Sequence, residues 1–304
     1  MRLWVALTLV CLVCWGTWSV CPKKATEHGL DFASIAVTAW CGQVTIAAVA
    51  ASMARFQIRW HPRGSRWALA GGLFGMTGSL SFVTAQNVGG QAAIVTPLSA
   101  LYPVVTLLLA VAFLGERLAR HQLIGAGLSL ASIGLLSAGN SAHSTSVATA
   151  DPDPASAWWL FWTLSAMIAW GLWAFCPKKA QSHGLGPVSI AATQILGNVP
   201  ILVVAAAIQG FQLHLFDRGG SLYAYFGGMA GITGALAYFT ALQRGGPASV
   251  VAPLSGTYPL VTVLLGYFFL DERLSAMQLA AVPLAVSAIA LLSFPPRATK
   301  SSED

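Results

Sequence analysis

Hydrophobic positions along this chain fall in long blocks separated by short polar punctuation. Ten blocks can be drawn, at about 3–21, 34–54, 67–87, 92–114, 122–138, 158–176, 188–208, 222–242, 248–270 and 277–294. Each is close to the roughly 20 apolar residues that a helix needs to cross a hydrocarbon core. The blocks do not alternate apolar and polar residues as barrel strands do, and a lone strand leaves its backbone groups unpaired in lipid. The pattern predicts an all-α integral membrane protein with ten transmembrane helices. The first block is not read as a secretory signal, because it lacks a small-x-small cleavage site and its like recurs at Trp158–Cys176.

The blocks come in two sets of five. Trp15 to Gly29, WGTWSVCPKKATEHG, returns from Trp170 to Gly184 as WGLWAFCPKKAQSHG, with ten of fifteen positions identical. GGLFGMTG (71–78) returns as GGMAGITG (227–234), TPLSALYPVVT (96–106) as APLSGTYPLVT (252–262), and LGERL (114–118) as LDERL (270–274). Between the sets lies a Ser-, Pro- and Asp-containing stretch, 141–157, with the composition of a flexible connector. The expected organisation is a first repeat over 1–140, the connector 141–157, a second repeat over 158–294 and a tail over 295–304. Five is odd, so the two halves must enter the membrane from opposite sides, as inverted repeats.

Charge agrees with that layout. The chain has 304 residues, 56% of them hydrophobic and only 9% charged, against about 25% charged in an average soluble domain. Its net charge of +6 sits beside the apolar blocks, as in the cluster Arg55, Arg59, Arg63 and Arg66. That is the placement of topogenic charge at a membrane face, not of a surface for nucleic acid. With the N-terminus inside, the inner segments hold Arg2, Arg55, Arg59, Arg63, Arg66, Arg117, Arg120, Lys178, Lys179, Arg244, Arg297 and Lys300, and the outer ones hold Lys23, Lys24, Arg218 and Arg273. Twelve against four places both termini, and the tail, in the cytoplasm.

Paired tryptophan-glycine steps near the ends of the first and sixth blocks, together with P-L-S-x-x-Y-P followed by L-[GD]-E-R-L, resemble the EamA domain of the drug/metabolite transporter superfamily. The resemblance covers nearly the whole chain in two copies, and PLSALYPVVTLLLAVAFLGERL (97–118) is its most specific part. It implies a small-solute transporter with a central cavity shared between the repeats. It does not imply a substrate.

Several residues are candidates for lining such a cavity. Trp15, Trp18 and Pro22 share one helical face, as do Trp170, Trp173 and Pro177, and indoles this far inside a helix end can wall a path or belong to the interfacial belt. Ser99 and Tyr102 share a face in the fourth block, as do Ser255 and Tyr258 in the ninth. Pro103 and Pro259 interrupt those helices at matched places, a pattern of transporter sites. Interhelical hydrogen bonding is the plainer role for the same residues. Gln43 and Asn198 are matched amides inside apolar spans, where they must face protein or water. Lys23 and Lys24, with Lys178 and Lys179, stand where the mouths of a path would be. They either attract an anionic group or snorkel to headgroups. Gly71, Gly75, Gly78 and their counterparts Gly227, Gly231 and Gly234 read as small faces for close helix approach. Glu116 and Glu272 read as local caps of the turns they sit in.

No Asp or Glu falls inside the ten blocks and all six His lie outside them, so no buried proton relay is visible. The five cysteines read as packing residues, and neither a metal site nor a nucleophile–base set appears. The expectation is therefore a secondary transporter working by alternating access, not an enzyme, with no cofactor and no metal. Its partners are a small-molecule solute and membrane lipid but no nucleic acid, and a homodimer stays open. Its place is the inner (cell) membrane of a bacterium. The missing buried acid leans towards a neutral, zwitterionic or anionic metabolite over an organic cation. A lipid-handling scramblase or flippase and a non-transporting membrane component are the rival readings.

Overall fold

The structure, a computed structural model, describes residues 2–88, 98–99, 101–116, 118–141, 158–215, 219–269 and 276–294. The connector beyond Ser141, the C-terminal tail, Arg117 and the Glu272-Arg273 turn lie outside the described residues. Among those residues every regular element is a helix: α1 (Leu3–Glu27), α2 (Phe32–Met53), α3 (Pro62–Asn87), α4 (Tyr102–Leu114), α5 (Arg120–Ser141), α6 (Trp158–Ser182), α7 (Pro187–Ile208), α8 (Gly220–Gln243), α9 (Ala248–Gly256), α10 (Pro259–Phe269) and α11 (Ala276–Ser293). Five of them, α1, α2, α3, α6 and α7, are long and apolar enough to cross a membrane.

Two helices run further than hydropathy indicated. α1 continues to Glu27 and α6 to Ser182, past the ends expected at 21 and 176. The extra residues include Lys, Ala, Glu and Gln, which are strong helix formers but not apolar, so the hydropathy signal stops while the helix goes on. Both helices then end in the same way. Gly29 and Gly184 take φ of 81° and 85°, a left-handed backbone that suits glycine. Leu30 N–H reaches back to Ala25 O and Leu185 N–H to Ala180 O, at 3.2 and 3.3 Å. This is why each copy of the long repeated stretch closes on His-Gly.

The fourth and ninth blocks are each divided. In the ninth, α9 stops at Gly256 and α10 starts at Pro259, with Thr257 and Tyr258 between them. The break is tight: Tyr258 N–H bonds Ser255 O at 3.1 Å and Leu260 N–H bonds Thr257 O at 2.9 Å. Proline at the head of α10 removes one donor that would otherwise need a partner.

Packing between the halves is reciprocal. α1 lies on α8 while its counterpart α6 lies on α3. α2 lies on α8 while α7 lies on α3. α10 meets α1 while α4 meets α6. α2 packs on its own counterpart α7, and α5 on its counterpart α11. A twofold-like relation between the repeats produces this scheme, with its axis passing between the two self-matched pairs. Large apolar side chains face outward on these helices, including Met53, Phe113, Phe226 and Ile208, as a lipid-facing surface requires.

Candidate functional site

Glycines set the distances at the centre. The glycine after each first tryptophan seats a neighbouring helix: a Cβ at Gly16 would lie 3.1 Å from Tyr258 O, and one at Gly171 would lie 3.0 Å from Tyr102 O. Thr106 then donates its hydroxyl to Gly171 O at 3.0 Å, and Thr262 donates to Gly16 O at 3.4 Å. Gly72 meets the Gln194 carbonyl, and Gly228 meets that of Ala39. These are the close helix approaches expected of a small-residue face.

The other glycines on that face do something different. Gly78 lies under the indole of Trp170, Gly75 under Trp173, Gly234 under Trp15 and Gly231 under Trp18. A Cβ at Gly75 would be 2.8 Å from the Trp173 ring, and one at Gly231 would be 3.2 Å from the Trp18 ring. Each repeat therefore supplies notches for the other's tryptophans. This role was missed because GxxxG spacing reads equally well as backbone-to-backbone packing.

Held in these notches, the rings enclose a cavity of about 170 Å³. It is lined by Trp15 and Trp18 of α1, Gln43 of α2, Met76 and Ser79 of α3, and Tyr102 of α4. From the second repeat come Trp170 and Trp173 of α6, Gln194 and Asn198 of α7, and Tyr258 before α10. The lining residues of the long helices sit near the middle of their helices, so the cavity lies at mid-depth. Trp15 and Trp173 approach to 5.3 Å between ring centroids, and Tyr258 meets Trp15 edge-on at 6.3 Å. Tyr102 meets Trp170 edge-on at the same 6.3 Å. Such ring contacts contribute about 0.5–1.5 kcal/mol each beyond burial.

Eight of the ten residues expected to bind solute thus come together around one space. Ser99 and Ser255 do not line it. Both are buried in the packing of their helices, and Ser255 donates its hydroxyl to Ala252 O at 3.1 Å. In the ninth block the residue that lines the cavity is Tyr258, in the break after Ser255. Two contributors were under-read. Gln194 accepts from Trp173 Nε1 at 3.2 Å. Tyr238 stacks on Trp15 at 5.7 Å and on Trp173 at 6.0 Å, and it donates its hydroxyl to Ala174 O at 2.9 Å. Its counterpart Phe82 lies on Trp170 at 5.6 Å. The matched Phe82 and Tyr238 were readable in the aligned repeats, because aromatic rings recur at one register.

Polar groups occupy one wall. Asn198 and Gln43, matched positions of the two repeats, meet at 3.1 Å. A residue touches its own counterpart only where a twofold passes, so the axis runs through this pair. One terminal atom of Asn198 has the carbonyls of Gly72 and Gln194 at 2.9 and 3.2 Å, which makes that atom the amide nitrogen. Asn198 then presents its oxygen to Gln43, a contact that is a hydrogen bond only with the Gln43 amide turned so that its nitrogen faces Asn198.

The lysines stand apart from this wall. Lys178, half-buried, donates to Leu242 O and Gly246 O, both at 3.2 Å. Beside it Glu116, on the turn after α4, accepts the N–H groups of Ala248 and Ser249 at 2.9 and 2.8 Å. Glu116 therefore caps α9 of the other repeat, not its own turn. The local reading failed because the partner lies 132 residues away. At the opposite end of the bundle Lys24 pairs with Glu27 at 2.8 Å on the surface. Lys179 lies one residue past Lys178 on α6, and the Lys23 side chain lies outside the described residues.

Comparison with known proteins agrees with this architecture. A model of the EamA-like transporter family matches the chain twice, over residues 2–138 and 157–294. The chain belongs to the EamA-like transporter family. This EamA protein is an integral membrane protein of a transporter family. It is similar to a Methanocaldococcus jannaschii protein, "Uncharacterized protein MJ1333.1", with 38% identity over 93 residues, 31% of this chain and 67% of that one. A solved structure titled "Crystal structure of protein" matches 95% of the EamA chain and 96% of its own at a TM-score of 0.71. Sequence identity there is 18%, so the likeness is one of fold.

Proposed function

We propose that this EamA protein is a secondary transporter that carries a small organic metabolite by alternating access. Two inverted five-helix repeats, spanning 1–140 and 158–294, rock about the mid-depth cavity. The observation that carries this reading is the reciprocal lining. Matched residues of both halves reach one uncharged space, so any tilt of one half against the other reshapes both sides of it. Alternating access also needs a closure that breaks and reforms. Glu116, bonding to the head of α9, forms one that joins the two halves, with Lys178 beside it on the α8–α9 turn of its own half. With both termini in the cytoplasm of a bacterial cell, this closure is the inner one, and the inner lysine stabilises the closed face instead of recruiting an anion.

A thermal-stability screen of the purified protein against metabolite classes tests the reading, followed by flux of any stabilising solute in proteoliposomes. A solute at 100 times its Kd adds about 2.7 kcal/mol to the folded state, which a melting curve resolves. Scrambling of a labelled lipid by the same proteoliposomes, with flux of no solute, would overturn it in favour of lipid handling.

A further inference from the structure

The loop between α2 and α3 is built twice but strongly charged only once. Phe56 N–H bonds Ala51 O at 2.7 Å, and in the matched loop after α7 Phe211 N–H bonds Ala206 O at 2.8 Å. Arg59 N–H then reaches Ser189 Oγ of the other half at 2.9 Å, as His214 N–H reaches Ser34 Oγ at 2.9 Å. These bonds fix the register: Arg55 matches Gly210 and Arg59 matches His214. Further on, Gly64 and Gly220 lie against the matched carbonyls of Ala180 and Ala25, so Arg63 matches Gly219 and Arg66 matches Leu222. No arginine or lysine stands opposite any of the four. The second loop's own Arg218 follows Asp217 and matches none of them.

Position 55 makes the difference sharpest. Both loops turn there through a left-handed backbone, with φ of 53° at Arg55 and 62° at Gly210. Glycine takes that conformation freely and arginine does not. The first repeat thus keeps an arginine at a backbone cost that its twin avoids, and strain of this kind gathers at functional positions. Arg63 and Arg66 also stand against a local preference. They lie in the first turns of α3, the positive end of its dipole, where an anion is favoured and a cation is not.

No acid of the protein answers these charges. The sequence holds no Asp or Glu between Asp31 and Glu116, and among the described residues no carboxylate pairs with any of the four arginines. All four are exposed. Apolar side chains between them are exposed as well: Met53 at 80%, Phe56 at 71% and Trp60 at 61%. A soluble anion would leave those three in water. A bilayer surface buries them at the level of its headgroups, the depth at which tryptophan concentrates. With the termini in the cytoplasm, this face meets the leaflet rich in acidic lipid.

We propose that residues 53–66 form a binding site for an anionic phospholipid. The four arginines take the headgroup phosphate, and Met53, Phe56 and Trp60 rest among headgroups and upper acyl chains. Because Arg59 is bonded to Ser189, the lipid docks where the two halves are joined. The site is on the outside of the bundle and is independent of what the cavity carries. An environment-sensitive dye on Gln57→Cys tests it, in full-length protein with Cys14, Cys21 and Cys41 replaced by Ala and held in an uncharged detergent. Gln57 is exposed within the segment, so the dye reports locally. Phosphatidylglycerol should saturate the signal at a concentration at least tenfold lower than phosphatidylcholine with the same chains. Arg59→Gln should raise half-saturation by phosphatidylglycerol about fivefold, the share of one basic residue at an acidic surface. Arg55→Gly should raise it similarly yet melt at or above the parent in lipid-free detergent, since glycine relieves the left-handed backbone. Equal response to the two lipids, or half-saturation unchanged in both variants, overturns the proposal. So does an equal response to inorganic phosphate at matched ionic strength, which would make the segment a site for a free anion.

Discussion

At Gly78 and Gly234 the chain omits a side chain where an indole of the other repeat has to lie. Adding a methyl group there has two opposing effects. Alanine favours a helix over glycine by about 1 kcal/mol. Against this, a Cβ would sit 2.6 Å from Trp170 Nε1 at Gly78 and 2.5 Å from Trp15 Cδ1 at Gly234. Overpacking of that kind costs about 1–3 kcal/mol because a ring cannot shift as a flexible chain end does. Crowding should win, so Gly78→Ala and Gly234→Ala should melt below the parent protein. Gly134→Ala, with nothing within 4 Å of its Cβ, should melt at or above it. Equal melting of all three would mean the notches do not hold the rings. Asp31 shows a second residue-scale effect. Its carboxylate caps α2 through Ser34 N–H at 2.8 Å and Ser34 Oγ at 2.6 Å. Burial raises its pKa, but these hydrogen bonds and further backbone N–H groups outweigh that and hold it below the ordinary aspartate value. A depressed folded-state pKa means the stabilisation is complete above the unfolded value of about 3.9 and is lost as pH falls through the lower, folded one. Melting temperature should therefore drop over that acid window in the parent protein. In Asp31→Asn it should change less there, because the amide caps without titrating, whereas Asp31→Ala should cost about 0.5–2 kcal/mol at neutral pH. Identical acid profiles for parent and Asn variant would remove Asp31 from the account.

The elements were legible in proportion to how local their causes are. Apolar blocks, the interruption before Pro259 and the paired His-Gly ends all follow from residues within a turn or two of each other. What escaped was contact made across the repeat. Nothing near Glu116 marks Ala248 and Ser249 as its partners, and nothing near Gly75 marks Trp173. Gln194, whose counterpart in the other copy is Ala39, breaks the repeat. Comparison of the two copies singled out matched pairs and so passed over it, although it completes the amide wall. Glu116 also yields a prediction at this scale. Its carboxylate takes two N–H groups and the positive end of α9, so replacing it should weaken the closure by about 1–2 kcal/mol. That is a 5–30-fold change in the ratio of open to closed forms. Ser249 is fully buried behind the closure. A Ser249→Cys reporter should react several times faster with a membrane-impermeant maleimide, applied from the closure's face, when Glu116→Ala is added. An unchanged rate would show that Glu116 caps a helix and gates nothing.

For the whole molecule, the twofold-like exchange of partners decides how the two halves can sit in a bilayer. α1 on α8 and α6 on α3, with Gln43 meeting Asn198, requires each half to present the same faces to the other. If each half crosses five times, its N-terminal end and the N-terminal end of its partner open on opposite sides, and the axis lies in the membrane plane. The reciprocal contacts then fall at the same depth from opposite directions, which is why matched glycines of the two halves hold matched rings. An even number of crossings per half would put both copies in the same sense with the axis along the membrane normal. The connector between the halves separates these cases, because five crossings put it outside and an even number puts it inside. Ala150→Cys, in a protein with Cys14, Cys21 and Cys41 replaced by Ala, should therefore be labelled in intact cells by a reagent that does not cross the membrane. Buried Cys11 and Cys176 should contribute little background. Labelling only after the membrane is permeabilised would reject five crossings per half with both termini in the cytoplasm. It would also place Lys178 and Glu116 on the outer face, so the same measurement assigns the side that their closure guards.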